Sequence, residues 1–581
     1  MQFVPSWLRS YQRSWLSGDL VAGVIVTVML IPQSLAYALL AGLPPEVGLY
    51  ASILPIVAYA LLGSSMTLAV GPVAVASLMT ASALQPLAAA GSADYVGLAM
   101  LLSLLSGGML LLFGLLRLGF LAHFLSHPVI SGFISGSAVL IAVGQLKHLM
   151  GVKAGGGNVL DMVLQLVRAL PHTNGVTLGI GAGSVLFLLL ARKYLAAGLV
   201  RAGVGSKLAD LASKLAPMLA VVVTTALVAA LRWDESAGVS IVGAVPQGLP
   251  VLAIPSVTAS AVGQLWLPAL LISLVGFVES VSVAQSLALK RQQRIQPNRE
   301  LLGLGAANVA SALSGGFPVT GGFARSVVNF SAGAHTPLAG MVSALLMAVV
   351  IAALTGLFHY LPHTVLAATI IVAVVSLIDV QTLREAWHYD KADALSLLAT
   401  AGGVMAWGVE VGILMGVGLS LGTLVWRSSH PHIAVVGRVP GTEHFRNIAR
   451  HHVTTESGLI AVRVDESLYF ANAEVLQDTI EGLVASQAGT RHVLLVCSAV
   501  NQIDATALGV LSDLDNSLAQ RGMALLLSEV KGPVLDRLQN TALGQRLQGR
   551  VFLSTHQAFE FARQKTAAPS PGKAMAVTLS A

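Results

Sequence analysis

FPVTGGFARS, residues Phe317–Ser326, decides how this chain is read. A proline, a threonine and two glycines interrupt an otherwise apolar stretch, and an arginine follows directly where a new apolar helix is expected to begin. A helix starting there leaves its first backbone N–H groups without intrahelical acceptors and presents the positive end of its macrodipole. A second break of this kind, LAVGPVAVAS (Leu68–Ser77), sets Gly71 and Pro72 before its apolar run, and proline suits the first helical position. Before each break stands a partner stretch, IPQSLAYA (Ile31–Ala38) in the first half and GFVESVSVA (Gly276–Ala284) in the second. The same order at similar separation predicts an inverted repeat, in which interrupted helices from the two halves face one another across a binding site.

Hydrophobic residues make up 55% of the 581 and charged residues only 10%, against about 25% charged in soluble domains. Apolar stretches recur from Leu20 to about Val425, and about 20 helical residues cross a bilayer core. The predicted fold class is a polytopic α-helical membrane protein with 14 transmembrane segments in two inverted 7-helix repeats, about 18–232 and 263–428, within a transmembrane domain of residues 18–428. Counting from a cytosolic start puts Arg192, Lys193, Arg201, Lys207 and Lys214 in one inner loop, and Lys290, Arg291, Arg294 and Arg299 in another. Arg427 also falls inside, whereas Asp234 and Glu235 fall outside, as the positive-inside rule asks. Both termini are therefore expected in the cytosol, and the net charge of +6 is a topology signal that implies no nucleic-acid partner. The single cysteine, Cys497, excludes a disulfide framework. The opening MQFVPSWLRSYQRSW lacks the apolar run of a cleavable signal. Its Trp7, Leu8, Tyr11 and Trp15, beside Arg9 and Arg13, predict a short interfacial helix over residues 1–17.

A charge at the centre of a membrane helix costs about 2.5–3.5 kcal/mol even on the lenient insertion scale. Glu279 and Arg325 are the candidates to incur that cost, whereas Glu410 reads as interfacial. Arg325 offers a permanent charge and a planar fork suited to an oxyanion. If the two breaks face each other, N–H groups around Val73, Ala74 and Val75 and around Phe323, Ala324 and Arg325 converge on one anion. Gln33, Ser34 and Tyr37 are candidate neutral donors, with helix packing as the alternative. Glu279 reads as the proton carrier: an entering anion screens the arginine and repels the carboxylate, so anion and proton favour each other's binding. The competing reading of Glu279 and Arg325 is a buried ion pair joining two helices. GIGAGS (Gly179–Ser184) has dinucleotide-binding spacing but sits in an apolar span without a preceding strand, which favours helix packing. His430, His432, His451 and His452 have no ligands at metal spacing, and no nucleophile–base arrangement is present. Neither a metal, a cofactor nor an enzymatic activity is expected.

The run Asp19–Ser65, the VGPVA of Val70–Ala74 and NVASALSGGFPVTGGFARSVVN (Asn308–Asn329) resemble the sulfate permease anion transporters over nearly the whole chain. One departure is Met66, where the family has a basic residue after Gly-Ser-Ser. The resemblance implies a core domain with the substrate site, a gate domain and a homodimer. It also implies proton coupling, since a glutamate at 279 looks like proton-coupled sulfate members whereas sodium-coupled bicarbonate members tend to carry aspartate. The expected function is proton-coupled sulfate uptake at the inner (plasma) membrane, with a bicarbonate, chloride or dicarboxylate symporter or exchanger as the alternative. A nucleobase permease would bind its ring through acidic residues on both helices, and Arg325 argues against it. An anion-sensing membrane scaffold is the rival from another class.

Beyond Trp426 the periodicity changes. GLIAVRV, HVLLVCS, MALLLSE and RVFLS read as buried strands between helical segments, an α/β domain expected over residues 438–565. Its order and the loop SAVNQIDATALGVL (Ser498–Leu511) resemble a STAS domain, with Thr506 at the position of a phosphorylated serine in soluble relatives. Ala505 and Ala507 depart from that pattern and favour dimerisation or docking of a cytosolic protein partner instead. Residues 566–581, with Pro569 and Pro571, read as a disordered tail.

Overall fold

The computed structural model describes residues 5–123, 126–156 and 158–567. The chain divides into two compact units, Met1–Ser420 and Leu421–Ala581.

The first unit is helical. Among the described residues, eight helices are long and apolar enough to cross a membrane, from Arg13–Leu40 to Val409–Ser429, and three shorter apolar helices accompany them: Ala74–Leu84, Ala216–Leu231 and Leu338–Ala353. This is a multi-pass membrane protein. Long helices begin with side-chain caps where the sequence supplies them: Ser92 accepts from Tyr95 N at 3.2 Å before Ala93–Leu115, and Thr258 from Ala261 N at 3.3 Å before Ala259–Leu289. Such caps satisfy N–H groups that would otherwise be orphaned. Small residues let helices meet closely, as where Gly107 lies against the backbone at Val309, and hydroxyls join helices inside the bundle, as in Ser106 Oγ to Ser273 Oγ at 2.9 Å. GIGAGS lies within the helix Gly175–Leu190, with Gly181 against Leu149 and Thr364.

Two short strands interrupt this bundle. Val70–Gly71 (β1) and Thr320–Gly321 (β2) pair antiparallel, Val70 opposite Gly321 and Gly71 opposite Thr320. The helix Ala74–Leu84 follows β1 and the helix Phe323–Ser331 follows β2.

The expected interfacial helix at the N-terminus is corrected by the structure. Among the described residues before the first long helix, only Ser6–Arg9 and a 3-10 turn at Arg13–Trp15 are helical. Trp7 is 4% exposed and its indole donates to Ala60 O at 2.8 Å, so burial against a neighbouring helix takes up the ring that helical spacing places at the membrane surface.

The second unit contains a six-stranded sheet in the order β4-β3-β5-β6-β7-β8. β5 (Leu459–Val464), β6 (His492–Val496), β7 (Ala524–Ser528) and β8 (Val551–Phe552) run parallel, while β3 (Ile433–Arg438) is antiparallel to β5, and β4 (Phe445–Asn447) to β3. The helices Ala473–Ser486 and Ala505–Gln520 pack with one apolar face of the sheet, and Thr555–Ala567 with the other through Ala558, Phe559 and Ala562. Since β3 already pairs with β5, the sheet starts before the expected boundary at 438. The expected disordered tail lies almost wholly outside the described residues, from 568 onward.

Candidate functional site

The β1–β2 pair is held by side chains from three helices. Ser280 Oγ accepts from Gly321 N at 2.8 Å, and Asn308 bridges Val319 by accepting from its N and donating to its O, both at 2.9 Å. Ser326 Oγ accepts from Ala69 N at 2.9 Å, and Asn329 Nδ2 donates to Thr67 O at 3.0 Å. Helix Ala259–Leu289 approaches β2 so closely that a β-carbon on Gly276 would stand 2.5 Å from Thr320 Cγ2. The pair is therefore a rigid mount for the two helix starts.

Neither start carries a side-chain cap: Val73 and Gly322 occupy the cap positions in extended conformation without one. The first-turn N–H groups of both helices are thus left for another acceptor. Val73, Ala74 and Val75 are buried, whereas Phe323 and Ala324 are exposed.

Arg325 stands in the first turn of Phe323–Ser331 at 2% exposure, and its Nη1 and Nη2 find no hydrogen-bond partner among the described residues. The guanidinium folds back beside Gly322 and Gly71 and lines a small cavity with Asn329, Val70 and Leu30. An unpaired buried guanidinium is costly unless something compensates it. Glu279 makes no hydrogen bond and no ion pair within 4 Å among the described residues, and it lines a different, apolar cavity with Phe133, Ile134 and Ile413. Tyr37, Glu279 and Arg325 nonetheless lie within electrostatic reach of one another. The buried ion-pair reading of Glu279 and Arg325 finds no contact in this structure. Tyr37 is buried, Gln33 is half-buried, and neither side chain is engaged by a hydrogen bond from the described residues. Ser34 instead bonds Ser52 Oγ at 2.7 Å, which makes it a packing residue.

Two buried carboxylates escaped the sequence reading as structural anchors. Glu300 accepts from Tyr59 OH at 2.7 Å, Ser64 N and Ser65 N at 2.8 Å each, and Ser64 Oγ at 2.6 Å. Asp19 accepts from His335 N at 2.6 Å, Thr336 N at 3.0 Å and Thr336 Oγ1 at 2.7 Å. Their available signal was a carboxylate in the first turn of a helix, where backbone and dipole favour it. In the second unit, Thr506 is exposed one residue into Ala505–Gln520, beside the cap Asp504, whose carboxylate accepts from Ala507 N at 2.8 Å. A phosphate at Thr506 would meet that carboxylate as a like charge.

Comparison with known proteins agrees with this architecture. The sulfate permease family matches residues 16–400 and the STAS domain residues 451–558. The chain is 36% identical over 535 residues to "Sulfate transporter 4.1, chloroplastic" of Arabidopsis thaliana, covering 90% of this chain and 76% of that one. It is 34% identical over 562 residues to a probable sulfate transporter of Mycobacterium tuberculosis, covering 96% and 97%. Among solved structures, the murine Solute Carrier 26 family member A9 anion transporter in the inward-facing state superposes with a TM-score of 0.87 at 22% identity, covering 96% of this chain and 93% of that one. The transmembrane domain of a cyanobacterium bicarbonate transporter gives a TM-score of 0.59 at 24% identity over 71% of this chain and 98% of that one. At such identities the structures speak for the fold alone. The sequence matches go further: this chain belongs to the sulfate permease family, as a multi-pass membrane transporter with a STAS domain following its helical unit.

Proposed function

We propose that this protein is a secondary active transporter of small anions that takes up sulfate together with protons, with the anion held at the paired helix starts. The observation that carries this reading is Arg325: a buried guanidinium whose two terminal nitrogens lack any acceptor among the described residues, beside two uncapped helix N-termini. An anion there would satisfy the arginine and the orphan N–H groups together. The relatives named as sulfate transporters support sulfate as the substrate. Glu279, with no hydrogen bond to hold it ionised, serves as the proton carrier, and Gln33 and Tyr37 lend neutral donors.

The chain crosses the membrane fourteen times, in two inverted repeats of seven. In support of that count, the eight long and three shorter apolar helices, joined by Pro297–Leu313, Phe323–Ser331 and Lys391–Trp407, make fourteen, seven before residue 232 and seven after 258. With an even number of crossings both termini lie on one side, the basic loops make that side the cytosol, and we assign the protein to the inner membrane. Core and gate domains and a homodimer follow from the family resemblance, and the STAS domain acts as a docking or regulatory module outside the substrate path. A chain ending near Ser428 should then still bind anion.

The test is a radiotracer uptake panel in proteoliposomes with sulfate, bicarbonate, chloride, nitrate and a dicarboxylate, each with and without an inward proton gradient. Sulfate accumulation that rises with the gradient supports the proposal. Specific anion binding without flux would support the sensor reading instead.

A further inference from the structure

A second cavity lies away from Arg325, where the helices Leu16–Leu40, Ala74–Leu84 and His127–Met150 end. Its volume is about 470 Å³, and it reaches the surface at Gln85 and Pro86. Lys147, His148 and Gln145 line it, and among the described residues no aspartate or glutamate does.

Three observations give this cavity a preference for negative charge. Lys147 is partly buried and has neither an ion pair nor a side-chain hydrogen bond among the described residues. Gln145 is 6% exposed, and its amide has no partner among them although it borders the cavity. His148 adds a third N–H donor and packs edge-to-face on His363 with ring centroids 6.2 Å apart. The ammonium and the amide both border the cavity without a protein acceptor among the described residues, and one bound anion with several acceptor oxygens would engage both.

The bland alternative is that Lys147 and His148 only complement the negative end of their helix. That end, however, is already closed by backbone: Gly151 adopts the left-handed conformation at φ 66°, and its N–H and that of Val152, at 2.9 Å, both bond Lys147 O. Asn174 N donates to Met150 O at 3.0 Å as well. Helix termination therefore leaves the ammonium and the Gln145 amide without a structural task.

We propose that this cavity is a second anion-binding site, which takes a small inorganic oxyanion of the sulfate class between Lys147 and the Gln145 amide. It is separate from the helix starts and needs neither Arg325 nor Glu279.

Thiol labelling of the full-length protein in nanodiscs, where both faces are open to reagent, tests this directly. Ser82 lines the cavity, and Ser82→Cys is nearly isosteric; the native Cys497 is buried in the other unit and gives a quiet background. Rates with an anionic sulfonate-bearing and a cationic trimethylammonium-bearing methanethiosulfonate are each divided by the rate with a free thiol. The anionic reagent should be favoured about tenfold by the local potential. Lys147→Gln should erase that preference, and Lys147→Arg should restore it. Inorganic sulfate at constant ionic strength should slow the anionic reaction only while position 147 is cationic. Equal normalised rates, absence of sulfate protection in the Ser82→Cys protein, or an unreactive thiol at position 82 would each overturn the proposal. The protection measurement needs no change at Lys147, so it stands even where a Lys147 variant does not fold. Labelling requires no flux: a protein that labels as expected but transports nothing contradicts the transport reading and leaves this site intact.

Discussion

The guanidinium of Arg325 lies against the backbone of Gly71, its Nη2 and Nη1 3.4 and 3.5 Å from where a Gly71 β-carbon would stand. Residues 254 positions apart thus meet because β1 and β2 pair, one strand before each helix start. The absence of a side chain at Gly71 lets the arginine lie over the strand pair with its nitrogens unclaimed.

Gly71→Ala should therefore disturb both backbone and site. The residue sits at φ +156°, a strained position for an L-amino acid that costs about 1–3 kcal/mol. A lower unfolding temperature of the purified protein, together with a raised apparent KM for sulfate uptake, is the expected pair of results. Unchanged values of both would show that Gly71 does not shape the Arg325 environment.

Glu300 should behave as an anchor and not as a transport residue. Glu300→Ala leaves Tyr59 OH and the N–H groups of Ser64 and Ser65 without their acceptor, at about 1–3 kcal/mol for each buried group left unpaired. Fluorescence-detected gel filtration after heating should report a large loss of stability. Tyr59→Phe removes one of these bonds and should cost about 1 kcal/mol.

The breaks and the lone arginine were legible because their signals are local: Gly71-Pro72 and the Pro318-to-Gly322 run interrupt apolar stretches with helix-disfavouring residues, and Arg325 stands out against apolar neighbours. The anchors were not, since Glu300 bonds partners 235 to 241 residues away that no pattern around it announces. Ile433–Arg438 was missed as a strand because it follows the last apolar helix almost directly, separated by Pro431, and its partner in the sheet lies beyond a connection that contains β4. The helical spacing of Trp7 to Trp15 misled for the opposite reason: periodicity records a possible face, while the contact of Trp7 with Ala60 depends on tertiary packing.

Cys497 provides a prediction in pH. Burial, with Glu529 as a lesser contributor, pushes its thiol up to about 12. The thiolate is the reactive form, so at pH 8 the folded protein should leave Cys497 unmodified by maleimide over hours, and denaturation should expose it at once. The folded pKa lies above the unfolded value of about 8.5, so the thiol leaves stability unaffected by pH below that value. Between it and the folded pKa the native chain holds the proton that the unfolded chain has lost, and stability falls as pH rises. Rapid labelling of folded protein at pH 8 would show that the STAS unit opens more readily than its packed sheet implies.

Glu279 and Arg325 should separate coupling from binding. Glu279→Gln mimics the protonated acid, so sulfate counterflow should persist while uptake loses its dependence on an inward proton gradient. Full gradient-driven accumulation by Glu279→Gln would remove Glu279 from the proton path.

The most direct measurement is sulfate uptake by Arg325→Ala in proteoliposomes, on protein that elutes as the wild type does in gel filtration. Losing a charge-assisted hydrogen-bond partner costs about 1.5–3 kcal/mol, so apparent affinity should fall by about ten- to a hundredfold and uptake at low sulfate should drop to background. Uptake with wild-type rate and apparent affinity would contradict the assignment of Arg325 and the paired helix starts as the anion site.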